Sequence, residues 1–366
     1  MLRLIVFNPQ SIRRGFILAA VVRRSLSPKA AFVALSVLLA AAFLLHIAYG
    51  SSSVVSPLEV VTQIFRGPRG GTTENIVVWQ LRLVRAVACL SVGAILGVAG
   101  SAFQALFRNP LAEPYVVGVS SGAAMGGAIG EVFGLGAFAA GTGQLLLSFV
   151  FGLASLLLVM SLAGRKGVTR MGTLLLAGVV IGSMLSALLS LVILAAGQDT
   201  NRVLRWLLGD ASSVQWPSAL ILLAAAVICS VALARQAKKL NAFAAGEDTA
   251  RRLGTDTRRL RWTVLLVGTA GTAIAVGSVG VIGFLGLVAP HIARKALGVD
   301  WRRSLPASAL IGAALLLLSD ALAQRGIPAL TEMMGVSPVT DIPLGVVTAL
   351  IGAPSLLILL RTRSDV

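Results

Sequence analysis

Apolar runs close to twenty residues long recur along the whole chain, at 30–49, 86–106, 114–138, 143–163, 172–196, 218–234, 262–293, 305–323 and 342–360. A helix needs about 20 apolar residues to cross the hydrocarbon core of a bilayer, which is about 30 Å thick. Spacing of this kind points to an all-α polytopic membrane protein. Composition agrees, with 57% hydrophobic and only 12% charged residues, where a soluble domain carries about 25% charged. No polar stretch is long enough to fold as a separate soluble domain.

The run at 262–293 is too long for one crossing. At 1.5 Å per residue it would extend about 48 Å. It also carries Gly277, Gly280, Gly283 and Gly286, one every three residues, and glycine at that density breaks or bends a helix. A split, with one span ending near Ser278 and the next starting near Ile282, gives ten transmembrane helices, several of them short or broken.

Charge tests this division. With the N-terminus in the cytoplasm and the spans alternating, 24 of the 31 Lys and Arg residues fall on cytoplasmic segments. That bias obeys the positive-inside rule and places both termini in the cytoplasm. It also accounts for the net charge of +17 without a nucleic-acid partner. The expected organisation is a cytoplasmic or interfacial segment at 1–29, then a transmembrane domain at 30–361. The first segment has an apolar stretch too short to span and no A-x-A-like cleavage site, so an interfacial helix is expected there.

Three polar interruptions stand out. The first is "FRNPLAEPYVVGVSSGAAMGG", residues 107–127. Pro110 and Pro114 lack backbone donors and push the preceding residues out of helix, which forces a tight reversal. Beyond it Gly122, Gly126 and Gly130 share one helix face and permit close approach of a neighbour. The second is the basic segment "RQAKKLNAFAAGEDTARRLGTDTRRLR" at 235–261. It reads as two short helices separated by a Gly-Glu-Asp break, either a solvated loop or a docking element for a cytoplasmic partner. The third is "QLRLVR", with Arg82 and Arg85 at the outer start of span two. These arginines suit lipid headgroups. Span five adds a stripe of Gly178, Gly182, Ser186 and Ser190 at intervals of four, able to line a pathway or to pack against another helix.

Several chemistries find no support. No lysine follows a glycine, so no G-K-[ST] phosphate loop exists. Cys89 and Cys229 lie inside apolar runs and read as packing residues. His46 and His291 are far apart in sequence, and no metal site or cofactor is expected. Asp320, near the outer end of span nine, is expected to serve in capping or local hydrogen bonding rather than proton relay.

The segments "VWQLRLVRAVACLSVGAILGVAGSAFQALF", "NPLAEPYVVGVSSGA", "LNAFAAGEDTARRLG", "GVIGFLGLVAPHIARKALGVDWRRSLPASALIGAALLLLSDALA" and "DIPLGVVTALIGAPSLLILL" resemble, in order, the signatures of the FecCD family. Its members are permease subunits of ATP-driven bacterial importers for ferric siderophores, haem and vitamin B12. The resemblance covers about residues 30–361. It implies a multi-pass protein of the bacterial cytoplasmic membrane, surrounded by lipid. Its partners would be a second copy of itself, two ATPase subunits inside and one substrate-binding protein outside, with no nucleic acid. It further implies that Asn109 and Leu111 narrow the cytoplasmic end of the pathway, with a second gate at Met171 and Gly172, and that span five lines the pathway with Gly178, Gly182, Ser186 and Ser190. A family member carries small hydroxyl residues at those two positions. Residues 240–256 would be coupling helices for the ATPase, using Leu240, Ala245, Gly246, Glu247, Asp248, Leu253 and Gly254. Arg82 and Arg85 would receive glutamates of the binding protein. The family's further outer arginine is Gln324 here, with Arg325 one place on and turned by about 100°. Ferric siderophore is the first cargo implied, with haem and vitamin B12 behind it.

Two other classes fit the sequence less well. An ion-coupled secondary carrier commonly needs ionisable residues at the midplane, and the span map leaves that region nearly free of acids. An intramembrane enzyme would need a gathered Ser/His/Asp set or paired carboxylates, and the sequence shows neither.

Overall fold

The computed structural model describes residues 27–50, 54–135, 142–163, 171–335 and 342–361. The expected interfacial helix before residue 27 lies outside the described residues. Among these, all regular structure is helical. Seven helical segments are long and apolar enough to cross a membrane.

Helix α1 (Pro28–Ala48) starts at a Ser27 cap, and α2 (Pro57–Arg66) is a short amphipathic helix with a Ser56/Glu59 capping box. One helical turn, Thr73–Ile76, and a π turn, Val77–Arg82, lead into α3 (Leu83–Phe107). Helix α4 (Val119–Val132) follows a 3₁₀ turn at Pro114–Val117. Then come α5 (Gly143–Ala163), α6 (Met171–Ala195), the short α7 (Thr200–Leu207) and α8 (Trp216–Ala234). Helices α9 (Ala237–Ala244) and α10 (Glu247–Arg252) precede α11 (Thr257–Val279) and α12 (Leu285–Leu297). The chain continues through α13 (Trp301–Ala321), a π turn at Leu322–Gly326, α14 (Ile327–Met333) and α15 (Leu344–Arg361).

The glycine-rich run does break. Helix α11 ends at Val279, and Phe284 adopts a left-handed conformation before α12 begins. Gly280 has φ 76°, and a Cβ there would meet the Trp206 carbonyl oxygen, so this corner requires glycine. The run at 114–138 is not one span-length helix: its α-helical part, α4, has 14 residues. At 1.5 Å per residue it is about 21 Å long.

Helix α3 is the centre, with 89% of its most apolar window buried. It packs on α13, α8, α11 and α12, while α4, α5 and α6 form a second group joined to α11. A Cβ on Gly97 would strike the Ser308 carbonyl oxygen, so α3 and α13 are in backbone contact. Helix α6 is the opposite case, with 17% of its window buried.

Candidate functional site

At the end of the bundle that holds the basic segment, α9 and α10 are fastened to two long helices. The Asn241 side-chain amide donates to Asp300 Oδ1 at 2.7 Å, and its oxygen accepts from the Trp301 N–H at 3.0 Å. Asp300 is the N-cap of α13 and also accepts from the Arg302 N–H at 3.0 Å. These bonds, the Asn241 one foremost, hold the Asp300 carboxyl below its ordinary range. Glu247 opens α10 and accepts from Arg251 at 2.7 Å, from Thr257 at 3.3 Å and from Arg261 on α11. The Arg108 guanidinium lies 5.9 Å over the Phe243 ring.

Leu240 and Phe243 are fully buried in the chain's own core. Leu240 therefore anchors α9 in that core. Ala245, Asp248, Leu253 and Gly254 are exposed, and Gly246 is half-buried with φ 130°. Leu253 and Gly254 close α10, as its sequence suggested.

The reversal after α3 is built from side chain to backbone. Arg108 takes a left-handed conformation as the α3 cap, and Asn109 Oδ1 accepts from the Leu111 N–H at 3.0 Å. Leu111 is exposed. The chain then turns inward. Tyr115 hydroxyl donates to the Ile282 carbonyl at 2.6 Å and accepts from the Ile282 N–H at 2.9 Å. One phenol thus satisfies both backbone groups of a residue in the gap between α11 and α12. Glu113 lies beside Gly286, whose carbonyl accepts from the Gln104 amide at 3.1 Å. The Glu113 carboxyl therefore sits against the first turn of α12. Neither Tyr115 nor Glu113 was singled out from sequence.

The small-residue stripe of α6 packs within the chain. A Cβ on Gly178 would lie 2.6 Å from the Val116 carbonyl oxygen, and Gly182 faces Gly118. Ser186 Oγ is 3.2 Å from Ser121 Oγ, while Ser190 bonds back to its own helix at the Ser186 carbonyl. Gly178 and Gly182 are thus in close contact with the reversal, while Ser186 and Ser190 are exposed on the surface of the single chain. Gly172 faces open space and Met171 is half-buried at the helix start. Gly122 and Gly126 meet Phe151 and Leu147 of α5.

At the other end of the bundle an ionic cluster joins the start of α3 to the end of α13 and the second π turn. Arg85 binds Asp320 through two 2.7 Å hydrogen bonds. His46 Nε2 and the Gln324 amide each lie 2.7 Å from Asp320 Oδ2. Asp320 is completely buried, and its carboxylate accepts all of these local hydrogen bonds. His46, Cys89 and Asp320 bring potential metal-ligand atoms within 4.8 Å of one another. The bidentate arginine already occupies the carboxylate, so this group is an ion-pair cluster. Arg82 is also turned inward, donating to the carbonyls of Ile47, Ala48 and Val55 at 3.0–3.1 Å. Arg325 donates to the Gly50 carbonyl at 2.7 Å. Arg82 is buried.

The sequence profile of the FecCD transport family matches residues 37–362. The chain belongs to that family. It is 37% identical over 296 residues to a cobalamin import system permease protein of Halobacterium salinarum, covering 80% of this chain and 75% of the relative. It is 36% identical over 333 residues to the vitamin B12 import system permease protein of Escherichia coli, covering 90% and 94%. A solved structure of a metal-chelate type ABC transporter in an inward-facing conformation superposes with TM-score 0.77 at 30% identity, covering 92% of this chain and all of that one. The FecCD chain is thus the permease subunit of an ATP-binding-cassette importer, a multi-pass protein of the cytoplasmic membrane. Such a subunit transports and carries out no bond chemistry of its own.

Proposed function

We propose that this permease moves a metal chelate of the cobalamin class inward, working as a homodimer with two ATPase subunits and one substrate-binding protein. The named relatives put cobalamin ahead of the ferric siderophore suggested by sequence signatures, with haem behind both. Ten crossings with both termini cytoplasmic fit the charge bias, with the seven span-length helices supplemented by the shorter α4, α12 and α15. Short spans and broken backbone are tolerated where protein covers them, as Tyr115 covers Ile282.

The observation that carries the mechanism is the two-point attachment of the coupling helices. Asn241 ties α9 to the start of α13, and Glu247 ties α10 to α11. Ala245, Asp248, Leu253 and Gly254 remain exposed for an ATPase cleft. ATP binding would draw the two ATPases together and carry α9 and α10 with them. Helices α11 and α13 would follow as rigid levers. The exposed face of α6, together with Asn109, Leu111, Met171, Gly172 and Ser190, would border the pathway at the dimer axis. Gly178, Gly182 and Ser186 hold α6 to the reversal, so that the two gates move together. On the outer face Arg85 and Arg325 border the docking surface, and Arg82 shapes it through the loop that it holds.

Transport assays separate this from an ion-coupled carrier. Proteoliposomes holding the permease, its ATPase and its binding protein should take up cobalamin only with ATP inside the ATPase compartment. Uptake by the permease alone under a proton or sodium gradient would contradict the proposal.

A further inference from the structure

Helix α2 has three faces. At 100° per residue, Val60 and Gln63 point to one side and are 4% and 5% exposed, packed on the protein. Leu58, Val61, Ile64 and Phe65 form a second, continuous stripe, with Leu58 83% and Phe65 87% exposed. Glu59, Thr62 and Arg66 make the third, polar and exposed. An apolar face of this size is costly in water. The order of faces, protein then apolar then polar, is what a helix lying along a bilayer surface against a protein wall requires.

Its level is fixed by hydrogen bonds. The Trp79 indole donates to the Gln63 carbonyl at 3.0 Å, and the Trp216 indole donates to the Trp79 carbonyl at 3.1 Å. Trp79 and Trp216 stand at the starts of the long helices α3 and α8, and tryptophan in that position marks the headgroup layer. The α1 end is beside it, since Arg82 bonds both Ala48 and Val55. Arg66 and Arg69 lie at the end of α2 and on the loop after it, suited to lipid phosphate.

We propose that α2 is an interfacial anchor, with Leu58, Val61, Ile64 and Phe65 inserted into the headgroup–acyl boundary of the outer leaflet. The anchor fixes the height of the outer end of α3, where Arg82 and Arg85 arise. It holds whichever chelate is carried. The partner is the lipid surface itself, which continues from the exposed apolar side of α1.

Spin labels test this in the assembled permease. Cys89 and Cys229 are replaced by alanine, and single cysteines are placed at Leu58, Phe65, Thr62 and Arg66, all surface positions. In nanodiscs of phosphatidylcholine and phosphatidylglycerol, the ratio of oxygen to nickel-chelate accessibility at 58 and 65 should exceed that at 62 and 66 by at least about threefold, since oxygen concentrates in the acyl region. Equal ratios at all four sites would put the stripe in water and overturn the proposal. Loss of nickel access at 58 and 65 only when the substrate-binding protein is added, or a label-to-label contact between copies, would also overturn it by assigning the face to a protein.

Discussion

The Tyr115 hydroxyl bonds both the N–H and the carbonyl of Ile282, across 167 positions of sequence. It joins the reversal after α3 to the break between α11 and α12. Tyr115→Phe leaves two backbone groups unpaired inside the bundle, at about 1–3 kcal/mol for a buried group left unsatisfied. A lower unfolding temperature in detergent is expected, with reduced uptake and intact ATPase binding. An unchanged midpoint would show that water replaces the phenol.

Asp300 provides a pH test at the end of the bundle that holds α9 and α10. Its carboxyl is depressed below the ordinary value of 3.8, first by Asn241 and then by the Arg302 N–H. A depressed carboxylate stabilises fully above its unfolded pKa, and that contribution disappears as pH falls through the folded value. Loss is therefore confined to below about pH 4. Asp300→Ala should remove about 1 kcal/mol at neutral pH, as for other N-caps, and flatten the acid side of the stability profile. Asn241→Ala should keep the permease folded and weaken coupling of ATP hydrolysis to uptake. Full coupling in that variant would remove Asn241 from the lever.

The Arg85–Asp320 pair should be asymmetric under substitution. Asp320→Asn leaves Arg85 without its buried counter-ion, at about 3–5 kcal/mol. Replacing both, Arg85→Met with Asp320→Leu, should recover much of that loss, because two desolvated charges go together. Thermal unfolding of the single and double variants gives the comparison. A double variant no more stable than Asp320→Asn would mean that His46 and Gln324 depend on the carboxylate as much as Arg85 does.

Gly97→Ala should separate α3 from α13, since its Cβ meets the Ser308 carbonyl oxygen. Overpacking of this kind costs about 1–3 kcal/mol. The same change at Gly172, which faces open space, should be neutral in stability. Equal effects at the two positions would argue against the tight α3–α13 contact.

Much of the fold was legible because lipid imposes a length on apolar runs. The two short helices α9 and α10 and the break near Gly280 followed from charge, glycine and capping signals that act over a few residues. What was not legible depends on long-range partners. Nothing near Tyr115 names Ile282, and nothing near His46 names Asp320, 274 positions away. Arg82 looked like a surface arginine because sequence cannot say that carbonyls of three other residues surround it. The α6 stripe has two physical uses in sequence, and the contact of Gly182 with Gly118 depends on a partner that lies 64 positions away.

Coupling through α9 and α10 is tested most directly by Leu253→Asp in proteoliposomes containing the permease, ATPase and binding protein. Leu253 is 69% exposed, so the permease itself should fold and embed normally. The account predicts loss of ATPase association and of ATP-driven cobalamin uptake together. Wild-type association and uptake in that variant would contradict it.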